Sequence, residues 1–287
     1  MPVMTPTRSR QPQKQKVKSA FNTSYSPGKA SLPARFFCVP DPRFQNRMSL
    51  PVREIRPELL ETYPDNHPDA IEGRKELLLV NAIMGNHRWI IRTLRREVQR
   101  GWRVTELGAG DGKLSLRLAE AGIFDPSELH AMDLASKPST WPSTSVWVQG
   151  DITTSPLPDT EVLIANLFLH HFTDAQLLAV SKRISPATRL IIAAEPARHR
   201  IHLLNGRLFC ALARMKHITR HDMPISIRAG FKGTELAETL ALGADWETSA
   251  SDRPMGAYRF IARKIKHVRI GRGSQFPPSS QSRYRSR

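Results

Sequence analysis

The stretch "VTELGAGDGKLSLRLAEAG", Val104 to Gly122, decides the fold. A short apolar strand pattern runs into Gly108, Gly110 and Gly112. A helical pattern follows, with Leu114, Leu118 and Ala121 on one face and Gly122 as its stop. Glycine tolerates positive φ and lets the backbone approach a ligand closely. A strand, a glycine turn and a helix in this order form the edge at which an open α/β sheet meets a nucleotide-type ligand.

The spacing narrows the ligand. A dinucleotide fingerprint reads G-x-G-x-x-G, and its third glycine would fall on Lys113. Here the glycines are spaced G-x-G-x-G, with acids at Glu106 and Asp111. Negative charge repels a pyrophosphate and attracts a cationic ligand. The next strand pattern, "LHAMDL" (129–134), ends on Asp133, placed to accept hydrogen bonds from ribose hydroxyls. "TSVWVQGDI" (144–152) closes on Asp151, where an adenine amino group can meet it.

Working outward, "EVLIANLFL" (161–169) and "TRLIIAAE" (188–195) read as a fourth and a fifth strand. Between them Thr173 and Gln176 form a capping box that opens a helix. "ADWETSAS" and "GAYRFIARKI" supply two more strands. Upstream, residues 71–100 show apolar helical spacing that Gly85-Asn86 divides. Strands alternating with helices predict a mainly parallel sheet with right-handed crossovers. The segment 195–240 is too long for a plain connection. It reads as a helix, "LLNGRLFCALARM", then a polar turn, "RHDMPISIRAGFKGTEL", and a second helix.

Composition bounds the class. Of the formal charge of +17, residues 1–48 carry +8 (nine Lys/Arg against Asp41) and residues 263–287 another +8, so 49–262 hold only +1. The body therefore lacks the excess charge that tracks a phosphate backbone, and nucleic acid is expected to bind weakly and only through the tails. Both tails, 1–48 and 267–287, are read as disordered from their Pro, Ser, Gln and Lys/Arg content. The first reads as an artefact of the start site, with Met48 the true start, or as a transit peptide. Apolar runs all fall short of the roughly 18 residues that span a bilayer, so no membrane partner is expected. Two distant cysteines, Cys38 and Cys210, point to a reducing, cytoplasmic setting without a disulfide framework.

Together, "VTELGAGDG", "AMDL", "QGDI" and "ANLFLHHF" resemble the motif set of class I S-adenosylmethionine-dependent methyltransferases over roughly residues 70–265. The likeness is strongest to the small-molecule branch of quinone-biosynthesis-type and polyketide-associated enzymes. It implies an α/β, Rossmann-like, seven-stranded, mostly parallel sheet with an antiparallel last strand. An N-terminal helical cap (49–100) would precede the methyltransferase domain (101–266), whose insert (197–241) serves the acceptor side. It implies S-adenosyl-L-methionine as cofactor, with Gly108, Ala109 and Gly110 against the methionine part and Asp133 and Leu134 at the ribose. Asp151 and Ile152 would frame the adenine, and Asn166 would lie beside the methyl donor. Glu106 is expected to meet the ammonium group; Asp111 reads equally well as a helix N-cap.

The acceptor side is read from the residues after the fourth strand. Enzymes that methylate nucleic-acid amino groups carry Asn/Asp-Pro-Pro-aromatic there, but this chain has Asn166-Leu167-Phe168-Leu169. With no carboxylate pair nearby, Mg²⁺ is not expected and no metal ligand is assigned. A phenolic or enolic acceptor must lose a proton, and an ordinary histidine is a competent base near neutral pH. His170 and His171 are the candidates, with His171 preferred, against the alternative that they only pack or cap. His221, Asp222 and Arg228 are candidates to line the acceptor pocket, against a solvated turn. The expected function is metal-independent O- or C-methylation of a small hydroxylated aromatic, enolic or polyketide-like acceptor. An RNA or protein methyltransferase tethered by its tails, and a non-catalytic interaction protein, are the alternatives. The oligomeric state is left open.

Overall fold

The computed structural model describes residues 50–64 and 67–265. The two expected disordered tails lie outside the described residues. Three helices come first: α1 (Leu59–Thr62), α2 (Pro68–Met84) and α3 (Asn86–Glu97). Gly85, at φ 66°, separates α2 from α3 as the Gly-Asn pair predicts. The strands are β1 (Val104–Leu107), β2 (Leu129–Asp133), β3 (Val146–Gln149), β4 (Val162–Asn166), β5 (Leu190–Pro196), β6 (Trp246–Asp252) and β7 (Ala257–Lys264). Helix α4 (Lys113–Glu120) follows β1, and α5 (Asp174–Ser181) follows β4. Between β5 and β6 lie α6 (Arg200–Leu212), α7 (His217–Ala229) and α8 (Glu235–Leu240).

One sheet holds all seven strands, in the order β3-β2-β1-β4-β5-β7-β6. The first five run parallel, and β7 is antiparallel to both β5 and β6. The expected class, a seven-stranded mostly parallel α/β sheet whose last strand runs the other way, is what the chain adopts. Parallel strands covered on both faces are apolar throughout, as "VLIAN" of β4 illustrates. Its Val162 and Ile164 pack on one side with Ile90, Leu94 and Leu118. Leu163 and Ala165 pack on the other with Leu177, Leu236 and Phe260. The strand order reverses between β1 and β4, which opens a crevice at their C-terminal ends. The register brings Leu107, Met132 and Ala165 abreast, so the segments after β1, β2 and β4 share one edge.

One expectation is corrected. Residues 220–229 of the polar turn are helical, forming most of α7. Pro224 lies inside this helix, where proline normally costs a backbone hydrogen bond. Tertiary packing offsets that cost: Met223 and Ile227, four residues apart, pack against Gly206 of α6, and Ile218, on the opposite side of the helix, packs against Gly73 of α2. A Cβ on Gly206 would come within 2.8 Å of the Met223 sulfur, so glycine permits the close helix contact.

Candidate active site

The glycine segment turns through left-handed backbone at Gly108, Gly110 and Gly112 (φ 66°, 57° and 71°). A Cβ on Gly108 would lie 2.1 Å from the Phe168 ring. On Gly110 it would meet nothing within 4 Å, so this face of the turn is open. Asp133, at the end of β2, accepts from Gly110 N at 2.8 Å and from Ala135 N at 2.8 Å. Beside it the Leu134 side chain is 70% exposed. Asp151 accepts from Thr153 N and Thr153 Oγ1, which shapes the turn after β3, and Ile152 is buried there. Ala109 is buried against the sheet core.

Glu106 is buried in β1 and accepts from Ser115 N (3.0 Å) and Ser115 Oγ (2.6 Å) in the first turn of α4. Burial pushes its carboxyl up to about 8 despite these bonds. The Asn166 amide nitrogen lies 3.4 Å from His87 Nε2, and His87 Nδ1 lies 2.8 Å from the Arg117 guanidinium. Burial, then the Arg117 charge, lowers His87 to about 4, so it is neutral. Asn166 Oδ1 and both amide atoms of Asn86 are buried without a protein partner. Unsatisfied buried polar atoms are costly, and Asn166, at the end of β4 beside β1, offers a place for a ligand hydrogen bond at this edge.

A second set of side chains gathers around the turn Leu169–His171 after β4. Glu195, fully buried at the end of β5, holds this turn. Its Oε1 accepts from Phe168 N (3.2 Å) and Leu169 N (3.0 Å), and its Oε2 meets His170 Nδ1 at 2.7 Å. His170 Nε2 stands 3.5 Å from Glu58 Oε1, an ion-pair distance. His171 Nδ1 lies 2.9 Å from Glu61 Oε1. Burial alone would lower His170, but Glu195 and Glu58 outweigh it and raise the imidazole to about 9. Burial likewise works to raise Glu58; His170, His171 and Ser226 offset it and hold the carboxyl below its usual range. The bond to His171 lowers Glu61. Arg53 braces the group from outside, donating to the backbone oxygens of Phe172 and Ala229.

Both histidines open onto a cavity of about 260 Å³ between α1, α2, α6 and α7. Its walls are mostly apolar, including Leu77, Ile83, Phe209, Ile218 and Met255, while Glu58, Glu61, His170, His171 and Ser226 form a polar end. Among the described residues that line it there is no Lys or Arg. Asp222 lines the cavity, but its carboxylate is committed to Leu59 N (2.7 Å) and Leu60 N (3.0 Å) at the start of α1. His221 is exposed beside it, and Arg228 turns back to the Pro224 carbonyl; neither is among the cavity-lining residues. So Asp222 reaches the cavity as a structural anchor, and its two companions stand outside.

The sequence pattern did not single out Glu58, Glu61, Arg53, His87 or Glu195. Only Glu195 had a local signal, a charge ending an otherwise apolar buried strand. Glu58 is 112 residues from His170 in the chain, beyond the reach of any spacing rule.

No family model matches the chain, and no curated protein matches it. Solved structures share its fold. The plantazolicin methyltransferase BpumL, with a triazolic desmethylPZN analogue and SAH, superposes with a TM-score of 0.54 at 10% identity, over 72% of this chain and 93% of that one. The plantazolicin methyltransferase BamL in the corresponding complex gives 0.52 at 9% identity, over 72% and 93%. The pyocyanin biosynthetic protein PhzM gives 0.49 at 17% identity; the match covers 72% of this chain and 62% of PhzM's length. At these identities the likeness to the plantazolicin enzymes is one of fold, and the seven-stranded sheet with its reversed β7 is that fold.

Proposed function

We propose that this chain transfers a methyl group from S-adenosyl-L-methionine to a small, largely apolar acceptor bearing a phenolic or enolic hydroxyl. One observation carries the reading: the edge that presents the open glycine turn and Asp133 also presents the paired histidines at the polar end of an apolar cavity. The methyltransferases BpumL and BamL, with SAH bound, have this fold, which supports the choice of cofactor.

The residues fit such a cofactor. Gly110 leaves room for close approach, Asp133 retains lone pairs for ribose hydroxyls, and Asn166 Oδ1 needs a donor. Leu134, exposed beside Asp133, offers an apolar surface for a flat base. Glu106, expected at the ammonium group, is instead buried against Ser115 and largely neutral at about pH 7, and Asp111 pairs with Lys113, so Asp133 is the acid this edge offers a ligand. When bound, S-adenosylmethionine supplies a methyl on a sulfonium, an already activated leaving group. The protein's part is then alignment, which by itself is worth roughly 7–11 kcal/mol, and removal of the acceptor's proton.

His171 is the base in this reading. Glu61 holds its Nδ1 proton, which leaves the Nε2 lone pair for the acceptor hydroxyl. His170, kept cationic by Glu195 and Glu58, stabilises the oxyanion as it forms. Glu58, His170 and His171 also place ligand atoms within 4.8 Å of one another, a spacing a divalent cation can use. Because His170, held cationic between Glu195 and Glu58, has no lone pair to give a metal, the proposed mechanism is metal-independent. We place this activity in the cytoplasm.

The test is direct. The full chain is incubated with methyl-labelled S-adenosylmethionine and a panel of alkylated phenols and enolic polyketides, with and without EDTA. Labelled product in both conditions is expected. Label appearing only with Mg²⁺ or Zn²⁺ would overturn the metal-free step; calorimetry showing no binding of the methyl donor or its demethylated product would overturn the whole reading.

A further inference from the structure

The near-neutral total of the body conceals one strongly biased segment. Between Pro196 and His221 there are six Lys/Arg and no acid. Arg198 is buried, but Arg200, Arg207, Arg214, Lys216 and Arg220 are exposed, and among the described residues none of these five makes an ion pair. The same segment contains α6. Its inner face is spent on packing: His202 and Cys210 are buried, and Gly206 presses on α7. Its outer face carries Ile201, Leu204, Leu208 and Leu212 at helical spacing. The three leucines are 63%, 57% and 76% exposed. Single exposed apolar residues are ordinary, but a row of four on one helix is a surface with a use.

We propose that the outer face of α6 docks on an anionic lipid surface. Leucines flanked by arginines make an interfacial helix, whose apolar side enters the acyl boundary while the cations meet headgroups. Charge selects this occupant over a second copy of the chain. Two such faces packed together would oppose Arg200, Arg207 and Arg214 with no acid on either helix. This is a surface contact, distinct from the spanning segment that the sequence excludes: no helix among the described residues is long and apolar enough to cross a membrane.

The position of the helix gives the contact a purpose, a step that rests on the methyl-transfer reading above. Asn205, next to Leu204, lines the cavity, and so does Met255, which is 59% exposed. The leucine row therefore borders the cavity rim. An apolar acceptor held in the leaflet that the helix faces would enter without crossing water, and its alkyl portion would lie along Phe209, Ile218 and Met223 while its hydroxyl reaches His171. The acceptor class that fits is a phenol or enol with a hydrocarbon chain and no anionic group.

Vesicle sedimentation tests the docking with the full chain, so both basic tails remain in every sample. Vesicles of phosphatidylcholine alone are compared with an equal mixture of phosphatidylcholine and phosphatidylglycerol. The wild-type chain should partition onto the mixed vesicles, and L204Q/L208Q/L212Q should lower that partition by about tenfold or more. R200Q/R207Q/R214Q should lower it too and reduce its salt sensitivity. Unchanged melting temperatures certify the fold. If the leucine variant binds like wild type, the tails alone hold the vesicles and the proposal fails. It also fails if the leucine variant turns a dimer into a monomer in vesicle-free sedimentation, which would make the face a self-interface. Vesicle binding that survives in a chain showing no affinity for S-adenosylmethionine would leave the docking standing and remove only the methyl-transfer reading.

Discussion

Glu195 Oε2 meets His170 Nδ1 at 2.7 Å while its other oxygen accepts the Leu169 backbone N–H at 3.0 Å. One buried carboxylate thus fixes both an imidazole and the turn that carries it. Glu195→Gln keeps the shape and removes the charge. The variant should fold, lose about 10–100-fold in turnover, and show its alkaline limb at lower pH than wild type. A pH–rate profile of both proteins checks this.

The raised His170 also couples charge to stability. Its folded value of about 9 lies above the ordinary 6.5. The contribution is therefore complete below about pH 6.5 and is lost as pH rises through about 9. Calorimetric melting temperatures should fall for wild type between neutrality and pH 10, and His170→Asn should flatten that decline. A wild-type curve as flat as the variant's would show that His170 is not held charged.

His171→Ala removes the proposed base. Turnover should drop about 10²–10⁴-fold while affinity for the methyl donor stays within a few-fold. High pH should partly rescue a phenolic acceptor, because solvent then ionises it. A loss of less than about threefold would move the base elsewhere.

Asp133→Ala should weaken binding of the demethylated product by about 1–3 kcal/mol, the range for hydrogen bonds to a charged group. Titration calorimetry reads this directly. The variant also frees Gly110 N, so slower proteolysis of the glycine turn on ligand addition should be lost.

Gly108 and Gly110 share a left-handed backbone but differ in surroundings. Gly110→Ala meets only the backbone penalty, about 1–2 kcal/mol. Gly108→Ala adds a collision with Phe168 and should cost about 1–3 kcal/mol more. Phe168→Ala in the Gly108→Ala background should recover part of it. Chemical denaturation of the four chains measures the differences.

The sheet was legible because its strands are short apolar runs bounded by Gly, Pro and Asp, and burial on both faces leaves little freedom in such runs. The glycine turn was legible for the same reason, because its three glycines lie between the apolar β1 and α4, and Asp133 closes β2 beside it. The acceptor side was only half legible. His170 and His171 stood out beside β4, but their partners Glu58 and Glu61 arrive from a helix of four residues with no apolar period. The polar residues of 220–229 hid a helix that packs against α2 and α6. The charge total, near zero for the body, averaged away the basic face of α6.

The contacts that assemble the apolar cavity join residues far apart in the chain. Leu59 N reaches Asp222, Glu54 N reaches the Arg228 carbonyl, and Arg53 reaches that of Ala229, across separations of 163 to 176 residues. Distant pairings close late, because chain entropy must be surrendered before they are rewarded. On the ribosome, the half-sheet β1–β4 can collapse and present its glycine turn while α7 is still being made. Glu58 and Glu61 find their histidines only afterwards. A nascent chain would then be able to hold its methyl donor before it has an acceptor site, and the two capacities should return in that order during refolding.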